Sequence, residues 1–191
     1  MTLTELTTER LVMRGWREED LAPFAALNAD PEVMRYFPST QTRQASDAFV
    51  KDRIIPSFVE HGFGLWAVER TDTAEFIGFV GLCTVGFDAP FTPAVEVGWR
   101  LARAHWGKGL ATEAARASLA FGFDVVGLAE VVSFTSPWNE PSQAVMRRLG
   151  MVPDPAGNFD HPRLEAGSRL SRHVLYRLTR EQHDNGREVR R

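Results

Sequence analysis

The chain has 191 residues, 43% apolar and 25% charged, with a net charge of −3. That suits one globular domain able to bury its own core without cross-links. Its single cysteine, Cys83, excludes a disulfide framework and a multi-cysteine zinc site, and the net charge disfavours a general nucleic-acid binder.

The N-terminus lacks the basic start and apolar core of a secretory signal, and no stretch of 18 apolar residues exists. A cytoplasmic protein that neither spans a membrane nor binds nucleic acid is the expectation. Residues 10–16 alternate as a strand, and residues 18–29 repeat near 3.6 through Leu21, Phe24, Ala25 and Leu27 as a helix ended by Asp30-Pro31. Residues 42–61 predict a second helical region, broken or kinked at Pro56 and stopped by Gly62. Residues 63–70 and 75–84 read as a hairpin around Thr71-Asp72-Thr73-Ala74, with Cys83 buried in the second strand. A strand over 94–101, an Ala-rich helix over 108–124, a strand over 130–135, a helix over 139–149 and a last strand over 173–179 follow. The order β-α-α-β-β-β-α-β-α-β predicts a mixed α/β fold with helices covering a sheet. The domain is expected to span 1–180, with residues 181–191 a polar, frayed tail.

The chemistry gathers between the strand at 94–101 and the next helix. Trp106-Gly107-Lys108-Gly109 opens that helix. Two glycines let backbone N–H groups approach a ligand, and a helix start adds unpaired N–H groups and a positive dipole end. Such a loop suits a phosphate. The Walker A spacing fails at Ala102 and Gly109, and the Rossmann spacing fails at Thr112. Glycines that merely turn the chain remain the plain alternative.

The strand VEVGWRL followed by W-G-x-G-x-A-T-E-A resembles the acetyl-CoA motif of the GNAT superfamily of N-acetyltransferases, in the form of the RimJ/RimL-type branch. TERLVMRGWREEDLAPFAALNADPEVMRYF, PWNEPSQAVMRRLGM and RHVLYRLTRE are similar to further segments of that family in the right order. The resemblance implies a mixed, mostly antiparallel sheet and direct acetyl transfer from acetyl-CoA to a primary amine, without a covalent enzyme intermediate. It implies cofactor contacts at Arg103, Trp106, Gly107, Lys108, Gly109, Leu110 and Ala111. It also implies that the backbone of Trp99, Arg100 and Leu101 holds the pantetheine arm as an added strand. One position departs: Ala104 stands where the superfamily has Gln or Arg, so Arg103 or Lys108 is left to supply any side-chain contact to the pyrophosphate.

Acetyl transfer needs a neutral amine, a stabilised oxyanion and a protonated leaving thiolate. Glu96, an acid inside an apolar strand and on one face with Gly98 and Arg100, is the candidate base. A structural ion pair, with Arg100 for instance, is the other reading. A weak base favours an α-amine (pKa ~7.7–8.0) over a lysine side chain (~10.4). Many GNAT enzymes carry a tyrosine acid where this chain has Met146, and the branch offers Ser142 instead. Asn139 would bond the pantetheine or thioester region, or simply cap its helix, and Ser142 would meet the sulfur, or simply decorate the first turn. Arg35, Tyr36, Phe37 and Trp66 resemble acceptor-pocket positions, although clustered aromatics also build cores. Five scattered histidines without an H-x-x-x-H pair predict no metal. The resemblance allows a homodimer. Met146 and Ala104 keep open a module that binds CoA without catalysing transfer.

Overall fold

The computed structural model describes residues 3–188. The chain divides into two compact units, residues 3–83 with 98–118, and residues 84–97 with 119–188.

The first unit is built on antiparallel strands β1 (Leu6–Thr7), β2 (Leu11–Arg14), β3 (Leu65–Arg70) and β4 (Phe76–Thr84, its last residue in the second unit). Pairing runs β1–β2–β3–β4, with Leu6 opposite Met13, Met13 opposite Val68 and Trp66 opposite Val80. Helix α1 (Leu21–Ala29) follows a 3-10 turn, Glu18–Asp20. Its Leu21, Phe24, Ala25 and Leu27 are buried as the 3.6 spacing requires. The second helical region is α2 (Arg43–Phe49), a π turn (Val50–Ile54) and α3 (Ile55–His61). The expected break at Pro56 does not occur there. Pro56 lies in the first turn of α3, where a missing N–H is harmless, and the irregularity precedes it. Gly62, at φ 75°, caps α3 as expected.

Strand β5 (Val95–Leu101) enters this unit at Gly98. Gly78 on β4 makes room for it: a Cβ there would stand 2.1 Å from the carbonyl oxygen of Arg100, at a φ of +131°. Helix α4 (Leu110–Phe121) begins in this unit.

The second unit holds β6 (Glu130–Thr135), α5 (Glu140–Arg148), β7 (Val152–Pro153), β8 (Phe159–Asp160), β9 (Arg172–Thr179) and α6 (Arg180–Glu188). Strand β9 takes β6 along one edge from Glu130↔Thr179 to Thr135↔Val174, and also pairs with β7 and β8. All are antiparallel. The parallel partner of β6 is β5, through one pair, Glu96 opposite Val132. Val132, Leu175, Phe91 and Phe159 form a buried cluster. The mixed, mostly antiparallel α/β architecture expected from the sequence is present. Residues 181–188, expected within a frayed tail, lie in α6, whose first residue, Arg180, donates to Leu128 O at 3.2 Å. Cys83 is half-buried at the end of β4 rather than enclosed. No helix among the described residues is long and apolar enough to cross a membrane.

Candidate functional site

The glycine loop keeps its promise in the backbone. Gly107 and Gly109 adopt φ of 71° and 78°, the left-handed region that favours glycine. A Cβ on Gly107 would meet nothing within 4 Å, so the surface over it is open. Glu113 N donates to Gly109 O at 3.0 Å, which makes Gly109 the first cap of α4. It has no side chain to fold back onto the helix, so the first-turn N–H groups stay directed outward.

The loop is braced from the start of the chain. Arg10 Nη1 donates to Lys108 O at 3.0 Å. Arg10 N and Nε donate to the Glu113 carboxylate at 3.0 and 2.7 Å, and Thr8 Oγ1 donates to it at 2.6 Å. Burial pushes the Glu113 carboxyl up, but these donors outweigh it and hold the group below its ordinary 4.5. Sequence reading missed this brace, since nothing local links residues 8 and 10 to residue 113. Trp106 is 40% exposed and donates its Nε1 to Leu101 O at 2.7 Å, which fixes the turn between β5 and the loop. Arg103 and Lys108 are exposed, Leu110 is buried and Ala111 is half-buried.

Arg100 is unlike the other basic groups of this unit. Its Nη1 donates to Asn28 Oδ1 at 2.7 Å, and its guanidinium lies 4.3 Å from the ring of Phe37, 5.5 Å from Phe79 and 6.0 Å from Phe49. It pairs with no carboxylate among the described residues of its own unit, and burial pushes its pKa down to about 10. Phe37 is 39% exposed, and Tyr36 is half-buried beneath Arg35, whose guanidinium carbon is 4.7 Å from its ring. Trp66, the fourth acceptor-side candidate, is fully buried on β3, with Nε1 donating to Thr4 O at 2.8 Å. It belongs to the core. Asn28, buried on the apolar stripe of α1, is the partner the sequence hinted at only as a polar residue in an apolar position.

In the second unit, Glu96 is half-buried at the pair with Val132. Asn139 caps α5: its Oδ1 accepts from Ser142 N at 3.3 Å and its Nδ2 donates to Thr135 Oγ1 at 2.9 Å. The half-buried Ser142 hydroxyl makes no hydrogen bond among the described residues. Met146, on the same face of α5, is 1% exposed. Asp124, His183 and Asp184 bring ligand atoms within 4.8 Å of one another, a grouping that the histidine spacing does not announce and of a kind exposed carboxylates commonly form without an ion.

A mostly antiparallel mixed sheet with flanking helices, a glycine loop opening α4 and an Asn-capped α5 place the chain in a class of mixed α/β folds that the comparisons define further. The sequence profile of the Acetyltransferase (GNAT) domain matches residues 10–152. The chain is 32% identical over 151 residues to YkkB of Bacillus subtilis, spanning 78% of this chain and 85% of that one. It is 31% identical over 147 residues to the N-acetyltransferase p20 of Bacillus licheniformis, spanning 75% and 80%. In fold it is similar to RimL, a ribosomal L7/L12 α-N-protein acetyltransferase solved with coenzyme A, at TM-score 0.71 and 15% identity over 92% of this chain and 98% of that one. The protein belongs to the GNAT acetyltransferase family.

Proposed function

We propose that this protein transfers an acetyl group from acetyl-CoA directly to a primary amine, with the RimJ/RimL-type preference for an α-amine. The carrying observation is the loop Gly107–Gly109, left-handed at both glycines, open above Gly107 and leading into α4. These features fit a pyrophosphate: close backbone approach, outward N–H groups and a helix dipole. The named function of p20 and the coenzyme A bound by RimL support the same reading.

When bound, acetyl-CoA supplies an activated acetyl thioester. The N–H groups of Gly107 to Ala111 hold its pyrophosphate, flanked by Arg103, Trp106 and Lys108. The backbone of Trp99, Arg100 and Leu101 binds the extended arm, a role supported by the single parallel pair of β5 on β6. Glu96 takes the proton of the attacking amine, directly or through water. Ser142 Oγ, with no hydrogen-bond partner among the described residues, gives a proton to the leaving sulfur. Asn139 orients the first turn of α5 on which Ser142 sits. One domain over 1–180 and a cytoplasmic location complete the reading.

The test is thiol release from acetyl-CoA over a panel of peptides with free N-termini and small amines. We expect release that depends on an amine and falls in Glu96→Gln, with stabilisation by acetyl-CoA and not by ATP or NAD. Binding of acetyl-CoA with no amine-dependent release would favour the non-catalytic module that Met146 and Ala104 keep open.

A further inference from the structure

Two half-buried histidines of the second unit share an aromatic cluster and hold opposite tautomers. His161 follows β8, His173 lies on β9, and their ring centroids are 5.2 Å apart. The His161 ring lies 4.6 Å from Phe87, and the His173 ring lies 5.5 Å from Phe159 and 6.0 Å from Phe134. Arg163 N donates to His161 Nδ1 at 3.2 Å. A main-chain N–H can only donate, so this ring nitrogen is bare and the ring proton sits on Nε2. His173 Nδ1 lies 3.0 Å from Ser171 O. A carbonyl can only accept, so here Nδ1 carries the proton and Nε2 is bare.

The pair closes a strap. Residues 161–171 connect β8 to β9 and are pinned at the base by Ser171 O, which accepts from His161 N at 2.8 Å and from His173 Nδ1. The strap is folded on its own turns: Leu164 N donates to His161 O at 3.0 Å, Ser168 N to Glu165 O at 3.0 Å and Ser171 N to Ser168 O at 2.9 Å. Two arginines tie it to its surroundings. Arg163 donates to Gly86 O and sets its guanidinium carbon 5.7 Å from the Phe87 ring. Arg169 sets its guanidinium carbon 5.8 Å from the ring of Trp138, the residue before the α5 cap Asn139.

A proton acts on the two rings differently. His161 can gain one only on Nδ1, which turns the acceptor of the Arg163 N–H into an opposing donor. His173 gains one on Nε2 and keeps its bond to Ser171 O, but sets a charge among the rings. Burial opposes both charges, and Arg163 and a charged His173 further oppose one on His161. Asp160 favours a charge on His173, but it is exposed and shared with Arg172 at 3.7 Å. Strand β6 offers the pair Phe134, and the segment 84–94 offers Phe87. Asp88, the titratable residue of that segment, pairs with neither ring among the described residues. Both histidines are thus held below their ordinary 6.5 while the strap is closed. Well above 6.5 the open and closed forms are both neutral, and closure costs no proton. As pH falls below 6.5 the open form gains protons first, so closure weakens until the depressed values are reached.

We propose that His161 and His173 are a proton-operated latch: neutral, they hold the 161–171 strap against Phe87 and Trp138, and protonated, they release it from the start of α5. The latch rests on this cluster alone. Its effect on turnover, through the helix end that carries Asn139 and Ser142, rests on the acetyltransferase reading.

Three measurements test it on the intact protein. The first is hydrogen exchange at the Arg163, Leu164, Ser168 and Ser171 amides, as protection factors corrected for the intrinsic pH dependence. From pH 7.5 to 5.5 protection is expected to fall about tenfold or more, the gain in opening from one such histidine or both. The amides of β6 keep theirs. In the double variant His161→Asn, His173→Asn, one side-chain oxygen accepts from Arg163 N and one side-chain N–H donates to Ser171 O, with nothing left to titrate. Its strap is expected to stay equally protected at both pH values. Equal protection in the parent, or the parent's loss in the double variant, overturns the latch.

The second is nitrogen NMR of the histidine rings in the parent, which needs no variant to fold. His161 is expected to titrate below 6.5 and to carry its neutral proton on Nε2. Titration at or above 6.5, or a neutral proton on Nδ1, overturns the latch. The third is the ratio of kcat between parent and double variant, in which protonation of the amine cancels. It is expected to fall about fivefold or more from pH 7.5 to 5.5. A constant ratio overturns the control of turnover. If no amine is acetylated but exchange and NMR behave as expected, the acetyltransferase reading falls and the latch stands.

Discussion

The starts of α4 and α5 are the same device put to different uses. Each follows a strand and each carries residues of the family motif. At α5 the chain closes the helix end on itself: Asn139 accepts the Ser142 N–H and is anchored to Thr135. At α4 the cap is Gly109, which has nothing to close with, and the preceding Gly107 is also left-handed. Glu113, which faces back from the first turn of α4, holds Thr8 and Arg10 rather than the loop amides. A helix end that satisfies its own donors positions a side chain, here the Ser142 hydroxyl. A helix end that leaves them open offers a site for an anion.

Gly109→Val tests the open end and should give the largest effect. A β-branched residue at φ 78° is strained, and its side chain moves the loop off the position that presents the amides. Loss of two charge-assisted amide bonds amounts to about 4 kcal/mol, a rise of roughly 10³-fold in the Kd for acetyl-CoA by calorimetry. An affinity within fivefold of the parent would show that the two helix starts do not differ in function. Ser142→Ala tests the closed end. The Asn139 cap uses only the main-chain N–H of residue 142, so the fold should keep its Tm. A general-acid role predicts a drop of about 10² in kcat with KM little changed. An unaltered kcat would leave Ser142 as a first-turn residue and nothing more.

The brace under the open end gives a smaller, pH-dependent effect. Glu113 is held below its ordinary 4.5 in the folded protein. A depressed carboxyl stabilises fully above the unfolded value and loses that contribution as pH falls through the folded one. Glu113→Gln should therefore lower Tm at pH 7 by about 3–6 °C, from roughly 1–2 kcal/mol of weakened donors in a chain of this length. The gap between variant and parent should narrow as pH drops below 4.5. A gap that is constant down to pH 3 would mean that Glu113 acts through packing rather than charge.

How well the sequence foretold these features depends on how local their causes are. The strand-to-loop-to-helix path at 95–121 was legible because period-2 burial, paired glycines and an Ala-rich helix are all written within 27 residues. Asn139 was legible as a cap because its partner is three residues away. Arg100 was placed correctly on β5, but its surroundings were not, since Asn28 comes from a distant stretch of chain. A strand pattern says which face a side chain takes, not what another helix brings to it. Trp66 shows the converse. Resemblance offered it as a pocket position and its aromatic character offered it as core, and the β2–β3–β4 register with its full burial agrees with the core reading. The short strands β7 and β8 and helix α6 lacked the length or periodicity to announce themselves, and only pairing with β9 explains the two strands.

The smallest effect separates capping from ligand contact at Asn139. Both ends of its amide are already engaged, Oδ1 by Ser142 N and Nδ2 by Thr135 Oγ1. Alanine removes both bonds and should lower Tm by about 2–4 °C, the roughly 1 kcal/mol of a lost cap. Aspartate restores the cap, because a carboxylate accepts from Ser142 N, and the Thr135 hydroxyl can reverse and donate to its other oxygen. Asn139→Asp should thus melt within about 1 °C of the parent. Its rate of acetyl transfer decides the question. If Asn139 only closes the helix, the aspartate variant keeps its rate within a factor of about 3, since a cap of equal strength holds Ser142 in the same place. If the variant keeps its Tm yet loses tenfold or more in kcat, the amide N–H is spent on the substrate during turnover. The closed helix end would then open when the acetyl donor binds, and the contrast with α4 would hold for the free enzyme alone.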